Sequence, residues 1–192
     1  METKNGEPVR AFADAKAFAK WLSTNHAKAS GLWLKLAKKG AGAKSVTYAQ
    51  ALDEALCWGW IDAVKASFDG AWWLQRFTPR GPKSLWSKNN REHVARLEAE
   101  GRMKPPGRAA VEAAKQDGRW DRAYDSPKNA RPPEELLAAL RERPGALKFF
   151  EALDGANRYA ILHRVMTAKK PETRARRIAQ LADLCARGER LH

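Results

Sequence analysis

The apolar positions change period several times along the chain, and those changes lay out its elements. Over residues 15–25 Phe18, Trp21 and Leu22 recur at helical spacing, and Asp14 stands where it can cap the first turn. Over residues 31–39 the period drops to two. Leu32, Leu34 and Leu36 alternate with Trp33 and Lys35, which predicts a short strand. Thr47 and Gln50 have the spacing of a capping box and open a second helix. Its expected buried stripe is Tyr48, Leu52, Ala55 and Leu56, and Gly59 marks its end. Residues 1–10 carry no period and read as a loose lead-in.

Next comes a hairpin, because Asp69-Gly70 is a strong turn signal between IDAVKASF and WWLQRFT. A loop of two or of four residues gives the same parity. Asp62, Val64, Ala66, Phe68, Trp73, Gln75 and Phe77 then share one face, and Ile61, Ala63, Lys65, Ser67, Leu74, Arg76 and Thr78 share the other. The first face is the more apolar and is expected against the helices, which leaves Asp62 and Gln75 as polar groups on an aromatic surface. Pro79 and Pro82 bend the chain away. Ser84 or Ser87 caps a helix that runs to about Glu100 and stops at Gly101. Another starts at Pro105-Pro106-Gly107 and ends near Gly118. Short helices are expected at 134–141 and 145–153, and longer ones at 156–168, capped by Asp154, and 171–187, opened by Pro171 and Glu172.

The fold class that follows is α+β. A small antiparallel sheet, made of the N-terminal strand plus the hairpin, packs with helices over residues 1–120. A connection spans 121–133, and a C-terminal all-helical region over 134–192 packs on the first part.

Charge narrows the partners. The net charge is +14, spread as +6 over residues 1–100 and +8 over 101–192, so there is no detachable basic tail. Such a field favours anionic partners, and it also serves plain solubility. Two cysteines and four scattered histidines make no disulfide framework and no metal cluster, and nothing implies a cofactor. The loop KGAGAKS lacks the spacing of a phosphate-binding P-loop. No apolar run is long enough to span a membrane, so no membrane insertion is expected. The polar N-terminus predicts no secretory signal, and the expected location is cytoplasmic.

Candidate chemistry concentrates in residues 55–90, which hold five of the eight tryptophans. Trp60, Asp62, Gln75, Arg76, Thr78, Arg80, Trp86, Ser87 and Asn90 form a candidate ligand-binding set. Asp62 reads either as a structural pair for Arg80 or a helix start, or as a base or ligand anchor beside Trp60 and Trp73. Arg76, Thr78 and Arg80 alternate at a strand end and suit a carboxylate or phosphate, with Ser87 and Asn90 adding donors or simply capping and bracing the loop. The tryptophans read as core or as platforms for stacking bases. Cys57 follows Asp53 and Glu54 at a helix C-terminus, which disfavours a thiolate and predicts a buried structural thiol. A basic run, Arg164, Lys169, Lys170, Arg174, Arg176 and Arg177, reads as a solvated face or as contact with a phosphate backbone. Nucleic acid is possible but not favoured, since no groove-reading module is evident.

The segments ALCWGWID, QRFTPRGPKSLWSKNN, EGRMKPPG and AKKPETRARRIAQL resemble the YdeI/OmpD-associated family of bacterial proteins, in order and from about Phe12 to Gly188. Ala63 follows Asp62, where the family resemblance often implies glycine or serine. The resemblance implies protection against bacteriocins or cationic antimicrobial peptides and association with an outer-membrane porin. It implies no catalytic residues. A periplasmic location suggested for the family is not adopted for this chain. A protein at +14 repels a cationic peptide at long range, which argues against direct sequestration. The expected function is therefore a ligand- or protein-binding module linked to envelope stress or to antimicrobial-peptide or bacteriocin resistance, with an anionic small ligand or a protein as partner. The alternatives are a small-metabolite enzyme using Asp62 and a nucleic-acid binder using the C-terminal helices.

Overall fold

In the computed structural model, which describes residues 2–191, β1 (Thr3–Lys4), β2 (Glu7–Ala11), β3 (Leu32–Ala37), β4 (Trp60–Ser67) and β5 (Trp72–Pro79) form one sheet in the order β1-β2-β3-β5-β4. The α+β class stands, but the sheet is mixed and larger than a strand plus a hairpin. The lead-in supplies β1 and β2, and β2 runs parallel to β3, with Val9 beside Trp33. Asn5 and Gly6, both at positive φ, make the turn between β1 and β2. With only Val9 fully buried, β2 gives too short an apolar signal to be read from the sequence.

Two compact units are present. The first comprises the chain up to Leu85 with Asn90–Asp121, and the second comprises Trp86–Asn89 with the chain from Arg122 onward. The division falls within the first turn of α3 (Lys88–Ala99).

In the first unit, α1 (Ala15–Asn25) and α2 (Tyr48–Cys57) cover one face of the sheet. Asp14 accepts from the Ala17 amide, and Thr47 and Gln50 close the capping box. Phe18, Leu22, Ala51 and Ala55 from the helices meet Leu32, Leu34, Leu36, Trp60 and Phe77 from the strands. A smaller cluster of Val9, Trp33, Leu74 and Ala66 lies on the other face.

The hairpin departs from the expected register twice. Near the tip Ser67 pairs with Trp73 and Lys65 with Gln75, one residue off the expected parity. Asp69 causes this: its carboxylate accepts from the Ala71 and Trp72 amides, both at 2.8 Å, and builds a turn of odd length. A β-bulge between Asp62 and Lys65 then shifts the register back, so that Asp62 pairs with Phe77. Ala63 and Val64 together oppose Arg76. Asp62, Gln75 and Phe77 therefore share the helix-covered face as expected, but Lys65 and Ser67 join them in place of Ala66 and Val64. Ala66 turns to the opposite face beside Leu74.

The chain leaves α3 at Gly101 and re-enters a helix at α4 (Pro105–Gln116). This helix approaches the end of α2 closely. The Lys104 amide donates to the Cys57 carbonyl at 3.1 Å, and Gly107 lies against the Leu56 and Cys57 carbonyls.

The second unit holds α5 (Glu134–Arg141), α6 (Ala146–Ala152), α7 (Gly155–Met166) and α8 (Pro171–Ala186) around Leu136, Leu140, Phe150, Ile161, Val165, Leu181 and Cys185. Asp154 caps α7 by accepting from the Asn157 amide at 2.8 Å. Within the expected connection, Tyr124 is zipped to residues 86–88: its amide donates to the Trp86 carbonyl at 3.0 Å and its carbonyl accepts from the Lys88 amide at 2.8 Å.

Gly107 supplies a stability test. A Cβ there would sit 2.7 Å from the Leu56 carbonyl oxygen and 2.8 Å from the Cys57 carbonyl carbon, whereas one on Gly155 meets nothing within 4 Å. Gly107→Ala is expected to lower stability by about 1–3 kcal/mol despite its better helix propensity, and Gly155→Ala to leave stability unchanged or slightly raised. Urea unfolding of the two variants checks both.

Candidate functional site

The sheet face under α1 and α2 ends near the hairpin tip in an open hollow of ≈ 480 Å³, lined by Lys38, Lys65, Ala66, Ser67 and Trp73. Tyr48, on the first turn of α2, lays its ring 6.2 Å from that of Trp73. The Tyr48 hydroxyl donates to Asp62 Oδ2 at 2.8 Å. Expected on a buried stripe, Tyr48 is instead 37% exposed, because its position in the first turn puts the ring over the sheet edge. Lys38 Nζ donates to the Asp69 carbonyl at 2.7 Å, so the turn holds one cation at the hollow that Trp73 also lines. Lys65 adds a second, and neither ammonium has a carboxylate partner among the described residues. Together these residues offer an aromatic wall, two cations and a phenol.

The other candidate residues have separate placements. Trp60 is fully buried in the core, its indole N–H donating to the His26 carbonyl at 3.0 Å and its ring edge-on to Trp21. Gln75 is buried and its amide donates to the Val64 carbonyl at 3.2 Å. The bulge turns that carbonyl out of the ladder, and Gln75 is the side chain that pairs it. Arg76 and Thr78 lie on the opposite face from Asp62 and Gln75. Arg76 grips Glu7 with two hydrogen bonds, from Nε at 2.7 Å and Nη2 at 2.5 Å, and so ties β5 to β2 across β3. Arg80 Nη1 donates to the Leu85 carbonyl at 3.1 Å, and the Arg80 amide pairs with the Gly59 carbonyl. Trp86 and Ser87 are buried members of the second unit, and Asn90 is buried where the first unit resumes on α3. The structure thus joins Asp62 to Tyr48, whose ring neighbours Trp73, and sends Arg76 and Thr78 to the far side of the sheet.

A second polar cluster joins α2 to α3. Asp53 accepts from Arg96 at 2.7 Å and pairs with His93 Nδ1 at 2.7 Å, while Arg102 reaches Glu54 at 2.7 Å and Glu100 at 3.1 Å. Burial alone would raise the Asp53 carboxyl, but the hydrogen bonds from Arg96 and His93 outweigh it and hold the group below its ordinary value of 3.8. Next to this cluster Cys57 is buried, and burial with the nearby Glu54 charge pushes its thiol up to about 11. The thiol is therefore protonated and unreactive at neutral pH. Among the described residues no group of His, Cys, Asp and Glu is placed to hold a metal ion.

The basic run divides by role. Arg174 and Arg177 share a face of α8 and both cap the end of α7. Arg174 Nη1 donates to the Val165 carbonyl at 3.2 Å and Arg177 Nη1 to the Arg164 carbonyl at 2.7 Å. Arg174 also pairs with Glu135 at 2.8 Å. Lys169, Lys170 and Arg176 are exposed.

Residues 129–188 match the bacteriocin-protection, YdeI or OmpD-associated family (OmdA), and residues 10–110, more than half of the chain, match a domain of unknown function (DUF8412). The chain belongs to the DUF8412 family and carries a YdeI/OmpD-associated segment at its C-terminal end. The segment named from the sequence is present, over a shorter span than the Phe12–Gly188 resemblance. The DUF8412 match takes in the end of β2, β3, β4 and β5, with α1, α2, α3 and the start of α4, and with them the hollow beside Trp73. The YdeI/OmpD-associated match takes in α5 to α8. No curated protein and no solved structure matches the chain. No helix among the described residues is long and apolar enough to cross a membrane.

Lys38, Lys65, Tyr48 and Trp73 were not in the candidate set. Lys65 reaches the Asp62 face only because of the bulge, and no sequence signal marks that bulge. Tyr48 was legible as a first-turn helix residue, where exposure is common.

The carboxylates also set a pH dependence. The hydrogen bond from Arg76 holds Glu7 below its ordinary 4.5, as Arg96 and His93 hold Asp53 below 3.8. Both groups are depressed in the folded state, so the unfolded chain binds more protons in this window. Their contribution is complete above the ordinary values and is lost as pH falls through the lower, folded ones. Stability is expected to decline below about pH 4.5. Glu7→Gln is expected to flatten part of that decline and to cost about 1–2 kcal/mol at neutral pH by leaving Arg76 unpaired. Urea unfolding across pH measures both.

Proposed function

We propose that this protein is a cytoplasmic binding module, not an enzyme, whose first unit takes a small planar anion in the hollow beside Trp73. The observation that carries the reading is the pair of ammonium groups, Lys38 and Lys65, set against one indole ring without a carboxylate partner. An aromatic face offers stacking, and the two cations neutralise the ligand's charge. The overall +14 raises the local concentration of such ligands. In this reading Asp62 is a positioning residue. It accepts from Tyr48 and fixes that ring beside Trp73, and it does not act as a base. The link to bacteriocin protection or envelope stress rests on the description of the family matched at residues 129–188. A ligand-responsive module fits that setting better than a trap for cationic peptides, which the charge of the whole chain repels.

The nucleic-acid reading is supported less, because Arg174 and Arg177 are already engaged with helix carbonyls.

A thermal-shift panel of nucleotides and acidic aromatic metabolites tests the proposal, since a ligand of the folded state raises Tm by mass action. At least one planar anion is expected to stabilise the protein. Trp73→Ala should weaken its binding by about tenfold or more, following the ~1–3 kcal/mol typical of a stacked ring. Lys65→Ala should weaken it less, and Asp62→Asn should weaken without abolishing it. Silence across the panel, or a hit whose affinity survives Trp73→Ala, removes the small-ligand reading and leaves a protein partner.

A further inference from the structure

The second unit contains a cavity of its own, and no residue of the hollow beside Trp73 takes part in it. Its volume is ≈ 300 Å³, and it opens beside the last turn of α7 and the middle of α8. Arg164, Thr167, Arg177 and Gln180 give it polar walls, and Leu181, Leu184 and Leu191 give it an apolar one.

The polar walls are under-used. Arg177 spends Nη1 on the Arg164 carbonyl, with Thr167 Oγ1 at 3.4 Å, and its remaining N–H groups have no partner among the described residues. The Arg164 guanidinium and the Gln180 amide likewise have none. Two guanidinium groups facing one cavity repel each other, so the arrangement favours an anion between them. A helix C-terminus would by itself repel an anion. Here Arg177 covers the Arg164 carbonyl and Arg174 covers the Val165 carbonyl, which removes much of that opposition. Burial and then the Arg177 charge hold His163 below its ordinary value.

The apolar wall decides the rest of the ligand. Leu181 is buried, while Leu184 and Leu191 are only partly buried against the core. An inorganic anion would leave them wet. The volume accommodates roughly ten water-sized groups, which suits a chain of roughly six to eight carbons.

We propose that this cavity binds a medium-chain monocarboxylate, with its carboxylate held between Arg164 and Arg177 and its alkyl chain laid on Leu181, Leu184 and Leu191. The ligand is an amphiphilic acid, distinct in chemistry and in location from the planar anion assigned to the first unit. A failure of either assignment leaves the other standing.

Isothermal titration of the full chain with octanoate, acetate and 1-octanol tests it. Octanoate is expected to bind at least about tenfold more tightly than acetate, because the chain adds buried methylenes, and 1-octanol to bind weakly for want of a charge. Arg164→Gln should weaken octanoate about tenfold. Leu184→Trp fills the apolar wall and should abolish binding. Arg164 is exposed and its guanidinium makes no internal contact, so its variant folds even if the larger indole perturbs α8. The triple variant Lys169→Ala, Lys170→Ala, Arg176→Ala removes three charges that do not line the cavity and should change affinity less than about twofold. The proposal is overturned if acetate matches octanoate, if Arg164→Gln leaves affinity unchanged, or if the triple variant weakens binding as much as Arg164→Gln does.

Discussion

The amide of Gln75 donates to the carbonyl of Val64 across the bulge in β4, and the arrangement of polar groups in the first unit follows from that pairing. The turn at Asp69 offsets the hairpin by one residue, and the bulge removes the offset before the strand meets α2. Without the bulge, the base of β4 would present the wrong alternate residues to the helices. Trp60 would leave the core, and Asp62 would lose Tyr48. The extra residue leaves a carbonyl outside the ladder, and a buried glutamine beside Leu34 is what pairs it. A polar residue on an aromatic face is thus a structural requirement of the bulge.

The same reasoning explains most of the arginines. This is a chain with 36 basic residues, yet many of its guanidinium groups are directed inward. Arg76 joins β5 to Glu7 on β2, Arg96 and Arg102 join α3 and the loop after it to α2, and Arg174 and Arg177 close the end of α7. A guanidinium offers five donors on a long apolar stem, so it reaches carbonyls and carboxylates that a short cap cannot. Lys38 and Lys65 in one unit and Arg164 in the other stand beside cavities without a carboxylate partner among the described residues.

The two family matches follow the same partition of labour. The DUF8412 segment carries β3, β4 and β5 with the Trp73 hollow, and the YdeI/OmpD-associated segment carries α5 to α8 and all of the leucine-walled cavity but Leu191. Each cavity combines an apolar wall with positive groups that have no carboxylate partner among the described residues, but the walls differ in kind. A flat indole in one and three flexible leucines in the other select ligands of different shape.

The sequence by itself determined the features whose partners are near in the chain. Asp14, Thr47 with Gln50, and Asp154 act on amides three residues away, so their caps were legible, as were the helices they start and the turn at Asp69-Gly70. Burial contributes most to the raised Cys57 thiol, and the part due to Glu54 and Asp53 on its own helix was legible in the sequence. What only the tertiary structure decided depends on partners tens of residues away. Arg76 looked like a ligand clamp because Glu7, its partner, sits in a stretch with no periodic signal. Lys65 looked solvent-facing on the wrong side because a bulge leaves no mark in the alternation of its own strand. Capping energies are set by a few neighbouring dihedrals, whereas strand register and ion-pair choice are set by which distant segments pack together, and alternation within one segment does not contain that information.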